Sequence, residues 1–267
     1  MTDRLHSDHR RAELASNLEA VRARIDAACA EAGRAPSDVT LIAVTKTFPA
    51  SDVELLAELG IGHVAENRDQ EAAAKVAELA LRWGEPSDHP VRWHFVGALQ
   101  TNKCASVARY ASMVHSVDRL HLVEALRSAV RRRATMHGGL EGPSGHSSHA
   151  SRGSLGGLDC LVQVDLGDEA KPGRSGARPG EVPKIADAVE ASPGLRLAGV
   201  MTVAPLGGDP HQAFATLADI SAALQQRHPG ARVISAGMSG DLEAAVAAGA
   251  THLRVGAALL GSRGHAG

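Results

Sequence analysis

The sequence predicts an α/β protein, a single (β/α)8 barrel over residues 1–267 with one extra helix before the first strand. Short apolar runs alternate with helical patterns eight times, which is typical of a parallel sheet covered by helices. The chain has 267 residues, close to the ~250 that a closed eight-unit barrel needs. No G-x-G-x-x-G pattern follows the first predicted strand, which disfavours an open dinucleotide-binding sheet.

The composition indicates an aliphatic core and excludes several kinds of partner. Hydrophobic residues make up 44% of the chain and aromatic residues only 2%, too few for base-stacking platforms. The formal net charge of −2 provides no electrostatic footprint for nucleic acid or anionic membranes. The first residues are polar, no apolar run reaches ~18 residues, and Cys29, Cys104 and Cys160 are widely spaced. We therefore expect a cytoplasmic protein with free thiols, no membrane segment and no nucleic-acid partner.

A long opening helix is predicted over residues 8–32. Leu14, Leu18 and Val21 recur at helical spacing on one face, charged residues fill the other face, and Gly33 suits the end of a helix. This helix precedes the first strand and therefore lies outside the strand–helix repeat. We expect it to cover the lower end of the barrel.

The repeat itself is predicted from apolar runs bounded by turn residues and from helical periodicity. Thr101, Asp118 and Ser239 are candidate N-caps, and Gly60 and Gly249 are candidate helix stops. The strands are predicted over 41–46, 62–67, 91–99, 113–117, 158–166, 195–203, 231–235 and 252–255. The helices are predicted over 51–59, 69–81, from 101, 118–131, 179–191, 212–227, 239–248 and from 257.

Residues 132–157 interrupt the repeat. They are rich in Gly, Ser and His and contain almost no core-forming residues, which is typical of a flexible insertion. The spacing of His137, His146 and His149 matches no metal-ligand pattern, so we expect no metal site. We expect ligand binding to survive deletion of this stretch.

The first predicted strand ends on Lys46, at the edge where barrel proteins carry their chemistry. A lysine that is partly removed from water loses its proton more easily, and its neutral amine can form a Schiff base with an aldehyde. A lysine at a strand end can also extend its amine into solvent. The other strand ends distinguish these interpretations.

Two loops, after the seventh and eighth strands, predict an anion site. Gly237-Met238-Ser239-Gly240-Asp241 places a hydroxyl and backbone N–H groups at the start of a helix, and Arg254-Val255-Gly256-Ala257 repeats the arrangement. These two loops are the frequent phosphate site of the barrel fold. Helix capping explains either motif alone, whereas the pair favours a phosphate site.

Arg254 adds a cation beside this predicted phosphate site. An arginine against a pyridine nitrogen keeps that nitrogen unprotonated, because two adjacent positive charges repel each other. A strand-end salt bridge is the alternative for this residue. A lysine for an aldehyde, a site for a phosphate and a cation for a ring nitrogen together match pyridoxal phosphate.

Several motifs of the chain carry a family resemblance. They are Ala43-Val44-Thr45-Lys46-Thr47, Ala65-Glu66-Asn67 through Gln70-Glu71, Trp93 through Lys103, Gly199-Val200-Met201, Gly237 through Ala245, and Arg254-Val255-Gly256. His-Phe-x-Gly-x-Leu-Gln-x-Asn-Lys and Gly-Met-Ser-x-Asp are highly specific patterns. On these motifs the chain resembles the pyridoxal phosphate homeostasis proteins, also called the proline synthase co-transcribed bacterial homologue family. The resemblance runs from about residue 10 to residue 263 and leaves out the 132–157 insertion.

The resemblance implies the fold-type III barrel of alanine racemase, with pyridoxal phosphate as the cofactor. It implies that Lys46 forms the Schiff base and that Arg254 lies near the pyridine nitrogen. The other residues that it implies are Ser239, Gly256 and Ala257 at the phosphate, and Asn67, Met201 and Met238 at the ring. The implied function is to bind the cofactor and control its intracellular level without turnover, with apo forms of pyridoxal phosphate enzymes as partners.

Three positions depart from the family pattern. Arg68 replaces the usual tyrosine, Ala98 replaces a proline, and Ala257 replaces a frequent threonine. Ala257 has no hydroxyl for the phosphate and retains only its backbone N–H. An ordinary hydrogen bond contributes ~0.5–1.5 kcal/mol, so this change weakens the site without abolishing it.

Two enzyme classes remain as alternatives. A pyridoxal phosphate-dependent amino acid racemase needs a second acid–base group facing the lysine. Tyr110, the one tyrosine, falls inside a predicted helix, so His94 is the candidate base. A Schiff-base aldolase would need carboxylates near the lysine, and Glu66 and Asp165 are the strand-end candidates. We expect no second domain, no turnover and a monomer.

Overall fold

A closed barrel of parallel strands forms the centre of the protein. The structure is a computed structural model that describes residues 2–136, 157–167 and 175–261. The strands are β1 (Thr40–Val44), β2 (His63–Glu66), β3 (Arg92–Phe95), β4 (Ala111–Val117), β5 (Leu158–Gln163), β6 (Leu195–Met201), β7 (Val233–Ser235) and β8 (His252–Val255). Each strand pairs in parallel with its sequence neighbours, and β8 pairs with β1 to close the barrel. The predicted (β/α)8 barrel is confirmed.

Helices surround the barrel and connect its strands. They are α1 (Thr2–Glu31), α2 (Ala50–Glu58), α3 (Asp69–Trp83), α4 (Cys104–Tyr110), α5 (Leu120–Met136), α6 (Val182–Glu190), α7 (Pro210–Arg227), α8 (Leu242–Ala247) and α9 (Ala257–Leu260). Short 3-10 turns precede β1, α4 and α6. The extra helix predicted before the first strand is α1.

The apolar core has two layers, because successive side chains of a strand face opposite sides of the sheet. Outward-facing residues such as Val64, Phe95 and Leu253 pack against the helices in one large cluster. Inside the barrel lies a smaller cluster of Met113, Leu161, Ala198 and Met201. Buried polar side chains, among them His94, His115 and Arg254, share the interior with this cluster.

The opening helix α1 packs on the side of the barrel, against α2, α8 and α9. Asn17 donates to the carbonyl of Leu259 at 3.0 Å, and Arg24 pairs with Glu243 of α8 at 2.8 Å. The expectation that this helix covers the lower end of the barrel is therefore wrong. α9 is only 4 residues long, and the Leu14 and Leu18 face of α1, which packs against it, belongs to the large apolar cluster.

Several strands were predicted to extend too far at their carboxyl-terminal ends. β1 ends at Val44 rather than Lys46, and β5 ends at Gln163 rather than Leu166. β3 ends at Phe95, although Leu99 beyond it is only 2% exposed. Apolar residues continue into the loops, where they are buried without strand pairing, so the sequence pattern overestimates strand length.

The predicted insertion also begins too early. Helix α5 continues to Met136, and Arg133 fixes its last turns by donating to the carbonyl of Ala108 at 2.7 Å. Residues 132–136 are therefore helical. Residues 137–156, the larger part of that prediction, lie outside the described residues.

Over the described ranges, no helix is both long enough and apolar enough to cross a membrane. Cys29, Cys104 and Cys160 are all free thiols, and all three are buried. Burial raises the pKa of the Cys104 thiol to about 11, so this group stays protonated at neutral pH.

Candidate functional site

Lys46 lies just beyond β1 at the carboxyl-terminal end of the barrel, and its side chain is exposed. In the pairing of β1 with β8, Ile42 lies opposite Arg254. Side chains two residues apart on a strand face the same side, so this face continues through Val44 towards Lys46. Within the described ranges, no residue hydrogen-bonds to the Lys46 amine. The amine is therefore available to a ligand at the barrel mouth.

The backbone after Lys46 is strained. Thr47 has a φ of 69°, a left-handed conformation that β-branched residues rarely adopt. Strain of this kind costs ~1–3 kcal/mol and persists only where the surroundings enforce it. Here the Glu71 carboxylate accepts a hydrogen bond from the Thr47 backbone N–H. Phe48 N–H donates to the carbonyl of Thr45 at 3.1 Å, which closes the turn.

A buried ion pair lies behind this turn. The amine of Lys75 on α3 donates to the Thr45 carbonyl at 2.7 Å and to Glu66 Oε1 at 2.6 Å. The Thr45 hydroxyl also donates to Glu66 Oε1 at 2.6 Å, and Lys75 contacts Glu71 at 3.2 Å. Burial raises the pKa of Glu66, and the hydrogen bonds from Lys75 and Thr45 oppose this shift. We call Glu66, Glu71 and Lys75 the Lys46 clamp, because they hold the residues on both sides of Lys46.

Asn67 follows β2 at the same end of the barrel and is half-buried. Gly97, in the loop after β3, lies directly against it. A Cβ atom at Gly97 would lie 2.0 Å from the Asn67 carbonyl oxygen. Only glycine lets the two loops approach this closely, so the position of Asn67 depends on Gly97.

Arg254 projects from β8 into the barrel and is only 4% exposed. Its guanidinium donates to Ser235 Oγ at 2.7 Å and to the Thr202 carbonyl at 2.8 Å. Burial lowers its pKa to about 10, and the charge of Asp241 opposes this shift. The guanidinium is therefore a cation at neutral pH. No carboxylate forms an ion pair with it among the residues that the structure describes.

Ser239 joins the loops that follow β7 and β8. Its hydroxyl accepts a hydrogen bond from Ala258 N–H at 3.2 Å. Its backbone carbonyl accepts one from Arg24 of α1 at 3.0 Å. The prediction that Ser239 caps the following helix is wrong, because α8 begins only at Leu242 and Asp241 occupies the N-cap position.

The remaining predicted site residues lie at two depths. Met201, at the end of β6, is 1% exposed and packs inside the barrel. Met238 is 38% exposed, and its backbone N–H donates to the Asp241 carboxylate at 2.6 Å. Gly256 is half-buried and Ala257 is exposed, at the start of α9. The structure thus brings the predicted residues to one end of the barrel, with Met201 beneath the others.

A hydrogen-bonded chain of side chains crosses the barrel interior. His63 Nδ1 lies 2.8 Å from His94 Nε2, and His94 Nδ1 lies 2.9 Å from His115 Nε2. His115 Nδ1 lies 2.9 Å from Ser235 Oγ, which contacts Arg254. We call His63, His94, His115 and Ser235 the histidine chain. It runs from the first residue of β2 to the last residue of β7, that is, from the lower end of the barrel towards the mouth.

The histidines of this chain are neutral. Burial lowers the pKa of His94 and of His115 well below 6.5, and it also lowers the pKa of His63. His252, which lies beside His63 and His94, has a pKa of about 4 for the same reason. His94 uses both ring nitrogens inside the barrel, so it is a packed, hydrogen-bonded histidine and not a base at the mouth.

Burial of four neutral histidines, His63, His94, His115 and His252, should make the fold sensitive to acid. In the unfolded chain each protonates near pH 6.5, whereas in the folded protein protonation requires a lower pH. The unfolded state therefore binds more protons below about pH 6.5, and stability falls as the pH decreases. Each histidine contributes up to about 1.4 kcal/mol per pH unit. Urea unfolding at about pH 7.5 and about pH 5.5 measures this slope.

His121 on α5 is exposed and provides the control for this prediction. His121→Gln should keep the wild-type slope, whereas His115→Asn should reduce it by about one proton. Equal slopes in the two variants would contradict neutral burial of the chain.

The other candidate catalytic groups are occupied elsewhere. Glu66 belongs to the Lys46 clamp. Asp165, after β5, accepts from Gly167 N–H at 2.9 Å and lies 3.6 Å from Arg178. Tyr110 is buried at the end of α4, and its hydroxyl donates to Asp69 at 3.5 Å.

Sequence reasoning missed the Lys46 clamp and most of the histidine chain. Glu71 and Lys75 are four residues apart, a helical pairing that could have been recognised. His63, His115 and Ser235 lie on three different strands, and no local pattern connects them.

An exposed lysine after the first strand and a buried arginine on the last define an alanine racemase-like barrel protein. The family described as "Alanine racemase, N-terminal domain" matches residues 16–264. The chain belongs to the pyridoxal phosphate homeostasis protein family within this group, as its motifs indicated. The pyridoxal phosphate homeostasis protein of Mycobacterium bovis is 42% identical over 95% of this chain and 94% of its own length. The Escherichia coli K12 protein of the same name is 33% identical over 94% of this chain and 97% of its own length.

Solved structures agree with this assignment. PipY of Synechococcus elongatus with pyridoxal phosphate bound is 29% identical, with a TM-score of 0.72 over 93% of this chain and 100% of PipY. Alanine racemase of Corynebacterium glutamicum is 14% identical, with a TM-score of 0.58 over 94% of this chain and 62% of the racemase. The second likeness concerns the fold alone.

Proposed function

We propose that this chain binds pyridoxal 5'-phosphate and maintains its intracellular level without catalytic turnover. The observation that carries the proposal is the pairing of two groups at one end of the barrel. Lys46 presents an exposed amine, and Arg254 is a buried cation whose partners in the described residues are a hydroxyl and a carbonyl. The donor set fits a ligand with an aldehyde, a ring nitrogen and a phosphate.

The cofactor supplies an aldehyde whose carbon condenses reversibly with an amine nitrogen, with release of one water molecule. Lys46 is the residue that we assign to this amine. The Lys46 clamp fixes the backbone on both sides of Lys46, so the Cα from which the side chain extends is held at the barrel mouth before the ligand arrives. Arg254 supplies N–H donors for the ring nitrogen, and its positive charge disfavours protonation of that nitrogen.

The phosphate is assigned to the loops after β7 and β8. Ser239 supplies a hydroxyl, and Gly256 and Ala257 supply backbone N–H groups. Support comes from the hydrogen bond between Ser239 Oγ and Ala258 N–H, which holds the two loops together. Asn67, Met201 and Met238 are assigned to the ring, with Met201 below it.

The absence of turnover is supported by where the acid–base candidates lie. His94 is buried in the histidine chain, Asp165 contacts Arg178, and Tyr110 is buried beside Asp69. Racemisation needs a second acid–base group at the lysine. Among the described residues, none of these candidates reaches the mouth with a free proton-transfer atom.

The cellular location, the domain organisation, the oligomeric state and the recipients of the cofactor are also proposals. We infer a cytoplasmic protein from three free, buried thiols, which suit a reducing compartment. Residues 1–267 are proposed to act as one cofactor-binding domain and as a monomer, and light scattering measures the latter. Apo forms of pyridoxal phosphate enzymes are the proposed recipients, because a chain that holds the cofactor without turnover has to release it unchanged.

Borohydride trapping tests the assignment of Lys46. The wild-type protein is mixed with pyridoxal phosphate, reduced, digested and analysed by mass spectrometry. The reduced cofactor should be attached to the peptide that contains Lys46. Lys46→Ala should lose this adduct completely, and Lys46→Arg should lose it too, because a guanidinium keeps the charge but does not condense at neutral pH.

Lys103 provides a matched control at the same end of the barrel, in the 3-10 turn after β3. Lys103→Ala should retain the adduct on Lys46. An adduct on another lysine, or none in the wild type, would overturn the proposed site. Turnover of any amino acid that disappears in Lys46→Ala would overturn the non-catalytic function and support a racemase.

A further inference from the structure

The guanidinium of Arg254 is aimed by an uncharged group. Its contacts in the described residues are Ser235 Oγ and the Thr202 carbonyl, so two of its five N–H donors have partners there. A carboxylate would hold an arginine more strongly but would also neutralise its charge. A hydroxyl partner orients the group and leaves its positive charge for the ligand.

The histidine chain decides which way the Ser235 hydroxyl points. Ser235 Oγ accepts a hydrogen bond from Arg254, so its own hydrogen is free to donate to His115 Nδ1 at 2.9 Å. A neutral histidine has one donor and one acceptor nitrogen. His115 then donates from Nε2 to His94 Nδ1.

His94 repeats the pattern and donates from Nε2 to His63 Nδ1. In the opposite direction, Ser235 would accept from both Arg254 and His115. Its own hydrogen would then have no acceptor, because His115 and Arg254 are the contacts of Ser235 Oγ among the described residues. In the first direction Ser235, His115 and His94 each accept one hydrogen bond and donate one within the chain.

Donation by the Ser235 hydroxyl makes its oxygen a better acceptor for Arg254, because hydrogen bonds in a chain polarise one another. It also fixes the hydroxyl in one orientation. The neutral state of the histidines matters as well. A protonated His115 would donate from both nitrogens, would reverse the contact with Ser235 and would repel Arg254.

We propose that Ser235, with His115 and His94 behind it, is a positioning relay that aims Arg254 at the ring nitrogen of bound pyridoxal phosphate and keeps that nitrogen unprotonated. This inference rests on the proposed function. It assigns to Ser235, His115 and His94, which do not contact the ligand themselves, the role of orienting Arg254. An unprotonated ring withdraws electrons weakly, which suits a protein that holds the cofactor without reaction.

Nitrogen-15 NMR of ring-labelled pyridoxal phosphate, bound to the full chain, tests the relay. The ring-nitrogen signal reports directly whether this atom is protonated. The wild type should give the unprotonated signal at neutral pH. Ser235→Ala should move the signal towards the protonated position and weaken binding about tenfold, the loss expected for one hydrogen bond to a charged group.

Two variants control for loss of packing. Ser235→Thr keeps the hydroxyl and should restore the wild-type signal. Ser221→Ala on α7 removes another fully buried serine hydroxyl, far from Arg254, and should change neither signal nor affinity.

A second pair tests the relay even if Ser235→Ala does not fold. His115→Asn keeps an acceptor oxygen at the position of Nδ1 and should preserve the unprotonated signal. His115→Leu removes it and should shift the signal.

The outcomes separate this inference from the proposed function. If the wild-type chain does not bind the labelled cofactor, the proposed function itself is overturned. A wild type that binds it with a protonated ring nitrogen overturns the relay alone. A wild-type signal in Ser235→Ala or in His115→Leu overturns the relay alone as well.

Discussion

Lys75→Met is expected to lower the free energy of unfolding by about 3–5 kcal/mol, because it leaves the Glu66 carboxylate buried without its cation. Glu66 is fully buried, and its Oε2 has no hydrogen-bond partner in the described residues. Among the residues that the structure describes, its carboxylate accepts side-chain hydrogen bonds from Lys75 and the Thr45 hydroxyl alone, both at 2.6 Å from Oε1. Urea unfolding measures the loss.

The loss of stability caused by Lys75→Met should increase with pH. Without Lys75, burial keeps the folded-state pKa of Glu66 above its value in the unfolded chain, so the folded state binds more protons. Stability of the variant, relative to the wild type, then falls as the pH rises through the range between the two pKa values.

The same variant should bind pyridoxal phosphate about 5- to 150-fold more weakly. The Lys46 clamp enforces the left-handed conformation of Thr47. Without the clamp, the turn relaxes in the free protein, and ligand binding then has to supply the ~1–3 kcal/mol that restores the strained conformation.

Two variants sharpen this test. Lys184 on α6 is exposed, and Lys184→Met should change stability by less than about 0.5 kcal/mol. Glu66→Gln combined with Lys75→Met should recover part of the stability, because no charge is then left buried. A Lys75→Met protein as stable as Lys184→Met would show that the buried ion pair is not holding the turn.

Gly97→Ala is expected to destabilise the protein by about 1–3 kcal/mol and to displace Asn67. The added Cβ would lie 2.0 Å from the Asn67 carbonyl oxygen and 2.9 Å from its Cα, so the loops after β2 and β3 have to separate. The Val96 N–H bond to the Glu66 carbonyl, 3.0 Å long, resists this separation. Denaturation and titration with pyridoxal phosphate should both report the change.

Gly62→Ala is the matched control for this substitution. Gly62 precedes β2 at the lower end of the barrel, and a Cβ there meets no atom within 4 Å. It should leave affinity for the cofactor unchanged. If Gly97→Ala binds the cofactor as tightly as Gly62→Ala, then Asn67 does not contribute to the site.

The sequence alone determined the barrel and most of its elements. Periodicity and turn residues are local properties, so alternating strands and helices were readable without contacts, and β8 was predicted at its observed bounds, 252–255. The candidate site was readable for a related reason. Chemistry in this fold lies at strand ends, so Lys46, Ser239 and Arg254 could be located once the strands were predicted.

Only the tertiary structure decided what surrounds these residues. Glu66 looked like a strand-end carboxylate near Lys46, yet it faces α3 and pairs with Lys75. The face of β2 that meets the barrel interior is set only when this strand pairs with its neighbours. Elsewhere, in the pairings of β3 with β4 and of β4 with β5, the register shifts between Trp93 and His94 and between Val114 and Val117. No local pattern reveals such shifts. The histidine chain therefore becomes visible only when the barrel closes, because its hydrogen bonds join residues that are distant in sequence. In the Lys46 clamp the Glu71–Lys75 pair is local, whereas the contacts of Lys75 with Thr45 and Glu66 depend on how α3 packs on the barrel.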